Sequence, residues 1–169
     1  DVAELAKANG LDQRINELND IEMAQLAEMK NVFVAISTYG EGEMPDNADI
    51  FWDALSATTA PRLEGLKYTI LALGDTSYDL FCQAGKLLDM RFEQLGATRL
   101  SVRVDCDVDY EDDAETWMAE AVPLIKIEAG ETDAPSAPIQ IAKKSGWGRK
   151  NPYPSRVIEN RLLSGPKSA

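Results

Sequence analysis

NVFVAISTYGEGEMPDN, residues 31–47, divides at Ser37 into an apolar run and a glycine-bearing loop. Val32 to Ile36 is rich in β-branched residues and lacks polar alternation, the pattern of a strand buried on both faces of a parallel sheet. Such a strand needs helices on both sides. The following loop sets Gly40 and Gly42 two residues apart, where backbone can take a positive φ or approach a ligand closely. In open α/β sheets, ligands lie beyond the carboxyl ends of the strands, where this loop belongs. A lone Gly-x-Gly also marks ordinary strand-to-helix connections, and taken by itself that plainer reading comes first.

The 169 residues suffice for one well-buried domain and a short extra segment. Hydrophobic content of 44% and charged content of 27% are ordinary for a soluble globular chain. No apolar run approaches a membrane span, and the N-terminus has no basic region followed by an apolar core, so a cytoplasmic location is expected. With no histidine, and with Cys82 and Cys106 far apart, a Cys/His metal site is excluded. A disulfide between the two is disfavoured in a reducing compartment.

Charge is unevenly spread. From Lys143 onward there are seven Lys/Arg against the single acid Glu159, which leaves ten basic and twenty-eight acidic residues in positions 1–142, a net of −18. That body repels nucleic acid and anionic membrane and steers basic partners toward itself; a plain solubility charge accounts for it equally well.

Along the chain, residues 1–8 read as the end of a helix stopped by Asn9-Gly10, with no N-terminal cap before it, so the natural fold is expected to begin earlier. Residues 11–18 carry a short strand pattern anchored by Ile15 and Leu18, and Asn19 with Glu22 stands at capping-box spacing for a helix over 20–29. After the opening loop, Asp46 or Asn47 is expected to cap a helix through Ala57 with Ile50, Phe51, Ala54 and Leu55 inward. Tyr68 to Leu73 is a second parallel-type strand, and it too runs into a glycine loop, Gly74-Asp75-Thr76-Ser77-Tyr78. A helix over about 81–95 follows, with Ala84, Leu87, Leu88, Phe92 and Leu95 at helical spacing and Gly96 as its stop. Residues 100–104 make a third strand, and 110–128 a last amphipathic helix with Trp117, Ala121, Leu124 and Ile125 inward. This alternation predicts an α/β fold, a doubly wound parallel sheet with right-handed crossovers. Residues 129–154, rich in Gly, Pro, Ser and Ala, read as a linker, and 155–169 as the opening of another domain.

Two consecutive strands thus end in STYGEGE (37–43) and LGDTSYDLFCQ (73–83). Together these resemble the flavin-binding loops of the flavodoxin-like domain of diflavin reductases, and among them most closely the flavoprotein alpha subunit of NADPH-dependent sulfite reductase. LGDTSYDLFCQAGK, the following LGATRL, the acidic DCDVDY and the later Trp117 are similar to that subunit's pattern at matching spacing. Tyr39 stands where that subunit commonly has Gln, and so follows the microsomal-type NADPH-haemoprotein reductases, which share TYGEG. The tail over 151–168 looks like the join to the family's FAD-binding domain.

The resemblance implies FMN on this domain, FAD and NADPH on the rest of the parent protein, and a haemoprotein electron acceptor. It implies contacts to FMN from Ser37, Thr38, Tyr39, Gly40, Gly42, Leu73, Gly74, Asp75, Tyr78, Phe81 and Cys82, and from Asp105 at the end of the third strand. The residue types suit a flavin. An isoalloxazine ring is a flat aromatic body that Tyr39 and Tyr78, one per loop, can sandwich. Gly40 is expected to offer backbone to the reactive N5 edge, and Ser37 and Thr38 hydroxyls and amides to the phosphate side. Eight acids between Asp105 and Glu120, with no base among them, disfavour an anionic reduced flavin and offer a docking face to a basic partner. Cys82, without a histidine to activate it, is not expected to be a nucleophile. No Thr/Ser-rich phosphate loop after a first strand is found, so these residues alone are expected to bind FMN poorly and to be inactive. Two other readings stand beside this one: a reductase domain for another haemoprotein, and a flavin-free interaction module of the same fold.

Overall fold

The computed structural model describes residues 2–128. The expected linker over 129–154 and the opening of a further domain over 155–169 lie outside the described residues. In chain order the elements are α1 (Val2–Ala8), a single 3-10 turn (Leu18–Asp20), α2 (Met23–Glu28), β1 (Asn31–Ser37), α3 (Asp49–Ser56), β2 (Lys67–Leu73), α4 (Gln83–Gln94), β3 (Thr98–Arg99), β4 (Val104–Cys106) and α5 (Glu111–Glu128).

All strand pairings within this sheet are parallel. β1 runs beside β2 in unbroken register from Asn31 opposite Lys67 to Ser37 opposite Leu73. On its other side β2 pairs first with β3 and then with β4. The expected strand over 100–104 is therefore displaced to either side of that span. Leu100 makes one further ladder bond to Tyr68 O (2.7 Å), after which the chain leaves the sheet. Beyond this point Val102 is exposed and Arg103 reaches Asp89 on α4 (2.6 Å).

Apolar residues decide which helices cover which face. Val34, Ile36, Tyr68 and Ile70 pack with Phe51 and Leu55 of α3 and with Leu88 and Phe92 of α4. On the opposite face Leu71 and Cys106 pack with Trp117 of α5, against which Phe33 sets its ring edge-on at 5.7 Å. The Trp117 indole N–H donates to Thr69 Oγ1 (2.9 Å), so the buried polar atom is satisfied. β2 is buried at every interior position, as a central parallel strand should be. β1 is not: Val34 and Ile36 are buried while Ala35 between them is exposed, so the face that carries Phe33 and Ala35 is covered only in part.

The N-terminal third departs from expectation. Residues 11–17 form no strand, and Ile15 is 76% exposed. Two apolar anchors three residues apart do not make strand alternation, and only Leu18 reaches the core. α2 begins at Met23, and its N-cap residue Glu22 makes no side-chain cap bond. Asn19 caps a different helix. Its Oδ1 accepts the Phe51 N–H (3.0 Å) while its Nδ2 donates to Asp46 O (2.8 Å) and Asp49 Oδ1 (3.0 Å). α3 consequently starts after Ala48 with no cap from Asp46 or Asn47, and its expected inward Ile50 is exposed.

Charged groups are also drawn inside. Asp89, only 7% exposed, accepts from Tyr68 OH (2.9 Å), Arg99 Nε (2.8 Å) and Arg103 Nη1 (2.6 Å). Burial and the Asp89 carboxylate push the Tyr68 phenol well above its ordinary range. The hydrogen bond to Asp89 raises Arg99, and that to Asp105 raises Arg103, so both guanidiniums stay charged.

Candidate functional site

The in-register pairing of Ser37 with Leu73 brings the two strand-end loops side by side. Between them lies a cleft of about 330 Å³. β1 and its loop contribute Ser37, Thr38, Tyr39 and Gly40; β2 and its loop contribute Leu73, Gly74, Asp75 and Tyr78; and the lead-in to α4 adds Leu80, Phe81 and Cys82. Ten of the twelve residues expected from the sequence thus converge on one cavity. Gly42 and Asp105 do not line it, and Leu80, which the sequence reading passed over, does.

The first loop is a tight hairpin. Tyr39 and Glu43 exchange backbone bonds of 3.0 and 2.8 Å, and Gly42 N–H also donates to Tyr39 O (3.1 Å). Gly40 (φ +52°) and Gly42 (φ +113°) supply the left-handed backbone that this turn demands. Gly42 also makes room for Leu80: a Cβ there would stand 2.6 Å from Leu80 Cδ1. This contact joins the two loops, which is the place the structure gives Gly42.

The second loop is held from below and from the side. Gly74 N–H donates to Cys106 O (3.0 Å), extending the sheet past β2. Asp75 Oδ1 accepts from Ser77 N–H (2.8 Å) and Ser77 Oγ (2.6 Å), and Thr76 donates through N–H (3.1 Å) and Oγ1 (2.6 Å) to Asp107. Thr38 ties this assembly to α4. Its N–H donates to Leu73 O (2.9 Å) and its Oγ1 accepts the Ala84 N–H (3.2 Å) in the helix's first turn. Its amide is therefore used within the protein.

Cys82 closes the floor with a left-handed backbone (φ 54°), and its Sγ donates to Ala72 O (3.4 Å) and Cys106 O (3.6 Å). Burial, then the nearby Asp105 carboxylate, pushes this thiol up to about 11. Cys106 is likewise raised to about 11, by burial, Asp113 and Asp105. Both are free, buried and protonated at neutral pH, which suits packing rather than nucleophilic attack. Asp105 binds Arg103 through both oxygens (2.6 and 3.1 Å), beside the cleft but not in it.

At the mouth, Tyr39 is 67% and Tyr78 51% exposed. Two large aromatic rings left in solvent on either loop, over a floor of Leu73, Gly74 and Cys82, fit a flat aromatic ligand better than an empty surface.

The flavodoxin family model matches residues 1–117. The chain belongs to the flavodoxin family. Solved structures agree with that assignment: the flavodoxin of Streptococcus pneumoniae TIGR4 superposes with a TM-score of 0.66 at 29% identity, covering 75% of this chain and 86% of that one. A short-chain flavodoxin associated with a non-canonical PDU bacterial microcompartment gives 0.64 at 26% identity, covering 75% and 84%. Among curated proteins, this flavodoxin chain is 41% identical to the sulfite reductase [NADPH] flavoprotein alpha-component of Bacillus subtilis strain 168, over 93% of its own length and 26% of that protein's. The component of the same name from Shewanella sp. strain ANA-3 is 39% identical, over 97% and 28%. The flavodoxin chain thus spans about a quarter of the length of the curated relatives it matches.

Proposed function

We propose that this flavodoxin domain binds FMN and carries electrons within an NADPH-dependent diflavin reductase, the flavoprotein component of a sulfite reductase. The observation that carries the reading is the pairing of two strand-end loops, each presenting an exposed tyrosine, around one cleft of about 330 Å³. The names of the curated relatives support the choice of parent protein.

In this reading Tyr39 and Tyr78 stack on the two faces of the flavin ring, and the left-handed Gly40 presents backbone groups to its reactive edge. Ser37 and the Thr38 hydroxyl face the polar side chain of the cofactor. Cys82 and Leu73 exclude water from the floor. FMN, when bound, supplies the capacity to accept electrons as a pair and release them singly. FAD and NADPH belong to the remainder of the parent protein, for which residues 155–169 are the proposed opening and 129–154 the linker. The acids from Asp105 to Glu120, with Val108 and Tyr110 exposed among them, form the proposed docking face for a basic haemoprotein acceptor in the cytoplasm.

The test is made on the full-length parent polypeptide. Purified protein is expected to carry FMN and FAD in equal amounts and to reduce sulfite reductase haemoprotein with NADPH. Tyr39 favours a second reading, in which another haemoprotein is the acceptor. Faster reduction of such a protein than of sulfite reductase haemoprotein would select it, and purified protein without FMN would remove both.

A further inference from the structure

Lys86 is the fourth residue of α4, and no acidic residue accompanies it in that helix's first turn. A cation there opposes the helix dipole, which favours negative charge at this end. A residue that breaks a local rule of this kind calls for a compensating contact. The contact is with the cleft wall. Lys86 Nζ donates to the carbonyl of Phe81 (2.5 Å) and lies 5.5 Å from the centroid of the Phe81 ring, a cation–π contact. Phe81 lines the cleft, and the half-buried Lys86 touches that wall without lining the cleft itself. None of the ion pairs among the described residues includes Lys86, in contrast to Arg99 and Arg103, whose charges are met by carboxylates. Its charge is therefore met by the Phe81 carbonyl and ring rather than by an ion pair, next to a cleft whose own carboxylate is Asp75.

We infer that Lys86 is a positioning and potential-setting residue of this cleft: it fixes the Phe81 wall and stabilises the reduced, more negative form of the bound flavin. The inference rests on the FMN reading above. It gives Lys86 the opposite effect to the acids of residues 105–120, so the potential reflects a balance between the two.

The test uses the full-length protein and its Lys86→Met, Lys86→Gln and Lys86→Arg variants, with FMN affinity measured in the oxidised and fully reduced states and the FMN potential by anaerobic titration. Lys86→Met and Lys86→Gln are expected to lose about tenfold more affinity for reduced than for oxidised FMN, a shift of about −30 mV for a two-electron couple. Lys86→Arg is expected to keep the potential. Gln can still donate to the Phe81 carbonyl, so it separates charge from wall support and serves if Met does not fold. Equal weakening of both redox states with no change in potential, or a shift in Lys86→Arg as large as in Lys86→Met, would overturn the inference. An unsubstituted protein that binds no FMN would instead overturn the flavin reading on which it stands.

Discussion

At Gly74 there is no room for a side chain. An added Cβ would lie 2.8 Å from the backbone nitrogen of Cys82, 3.0 Å from its sulfur and 3.0 Å from the Phe81 ring. Backbone cannot swing aside as a flexible side chain can, so the start of α4 must move. Gly74→Ala is expected to destabilise the fold by about 1–3 kcal/mol, seen as a lower urea midpoint, and to weaken FMN binding by displacing Phe81 and Cys82. The thiols give a prediction in pH. Cys82 and Cys106 are raised from the usual value near 9 to about 11, so each holds its proton more tightly in the folded state than in the unfolded chain. Their stabilisation is fully present below pH 9 and is lost as pH rises toward 11. Urea midpoints measured from about pH 8 to 11 are expected to fall across that window, and substituting both cysteines with alanine is expected to flatten the fall. That ten of the twelve residues expected from the sequence would converge on one cleft was legible at this scale, because loop residues that follow adjacent parallel strands must meet. The place of Asp105 outside the cleft lining was not legible, since nothing in its spacing reveals that Arg103 takes both of its oxygens.

At the scale of elements, α3 shows how a cap can come from a distant loop. Asn19 holds the Phe51 N–H and two groups at residues 46 and 49, whereas Asn47 contributes its carbonyl, which accepts the Asn19 N–H (3.1 Å). Asn19→Ala is therefore expected to cost about 1 kcal/mol in urea denaturation, and Asn47→Ala close to nothing. The reverse order would show that the helix is capped locally. Sequence spacing pointed to Asp46 or Asn47 because capping signals are local, and it could not anticipate a partner some thirty residues upstream. The same limit explains the displaced third strand. Leu100, Val102 and Val104 alternate as a strand does, yet Arg103 is drawn out of line by Asp89, ten or more residues away on α4. β2 and α4, by contrast, follow their apolar patterns closely, because burial on both faces and a helical stripe are properties of contiguous residues.

For the whole molecule, alternating strands and helices sufficed to foresee a parallel sheet with helices on both faces, since the right-handed crossover leaves few other arrangements. What the alternation does not encode is the inward charge network of Asp89, Arg99 and Arg103 with Tyr68, which links the end of β2 far from the cleft to α4 and to the residue that leads into β4. That network, the Thr76–Asp107 bonds and the Thr38–Ala84 bond together hold the two loops and α4 in one frame. The frame leaves two tyrosines in solvent on either loop, and their use as a flavin clamp is the central claim. It is tested most directly by the dissociation constant of FMN for the full-length protein and for its Tyr39→Ala and Tyr78→Ala variants, measured by quenching of flavin fluorescence. Submicromolar binding by the unsubstituted protein, weakened by about tenfold in each variant as the loss of one stacked aromatic predicts, is the expected result; affinities unchanged by both substitutions would contradict it.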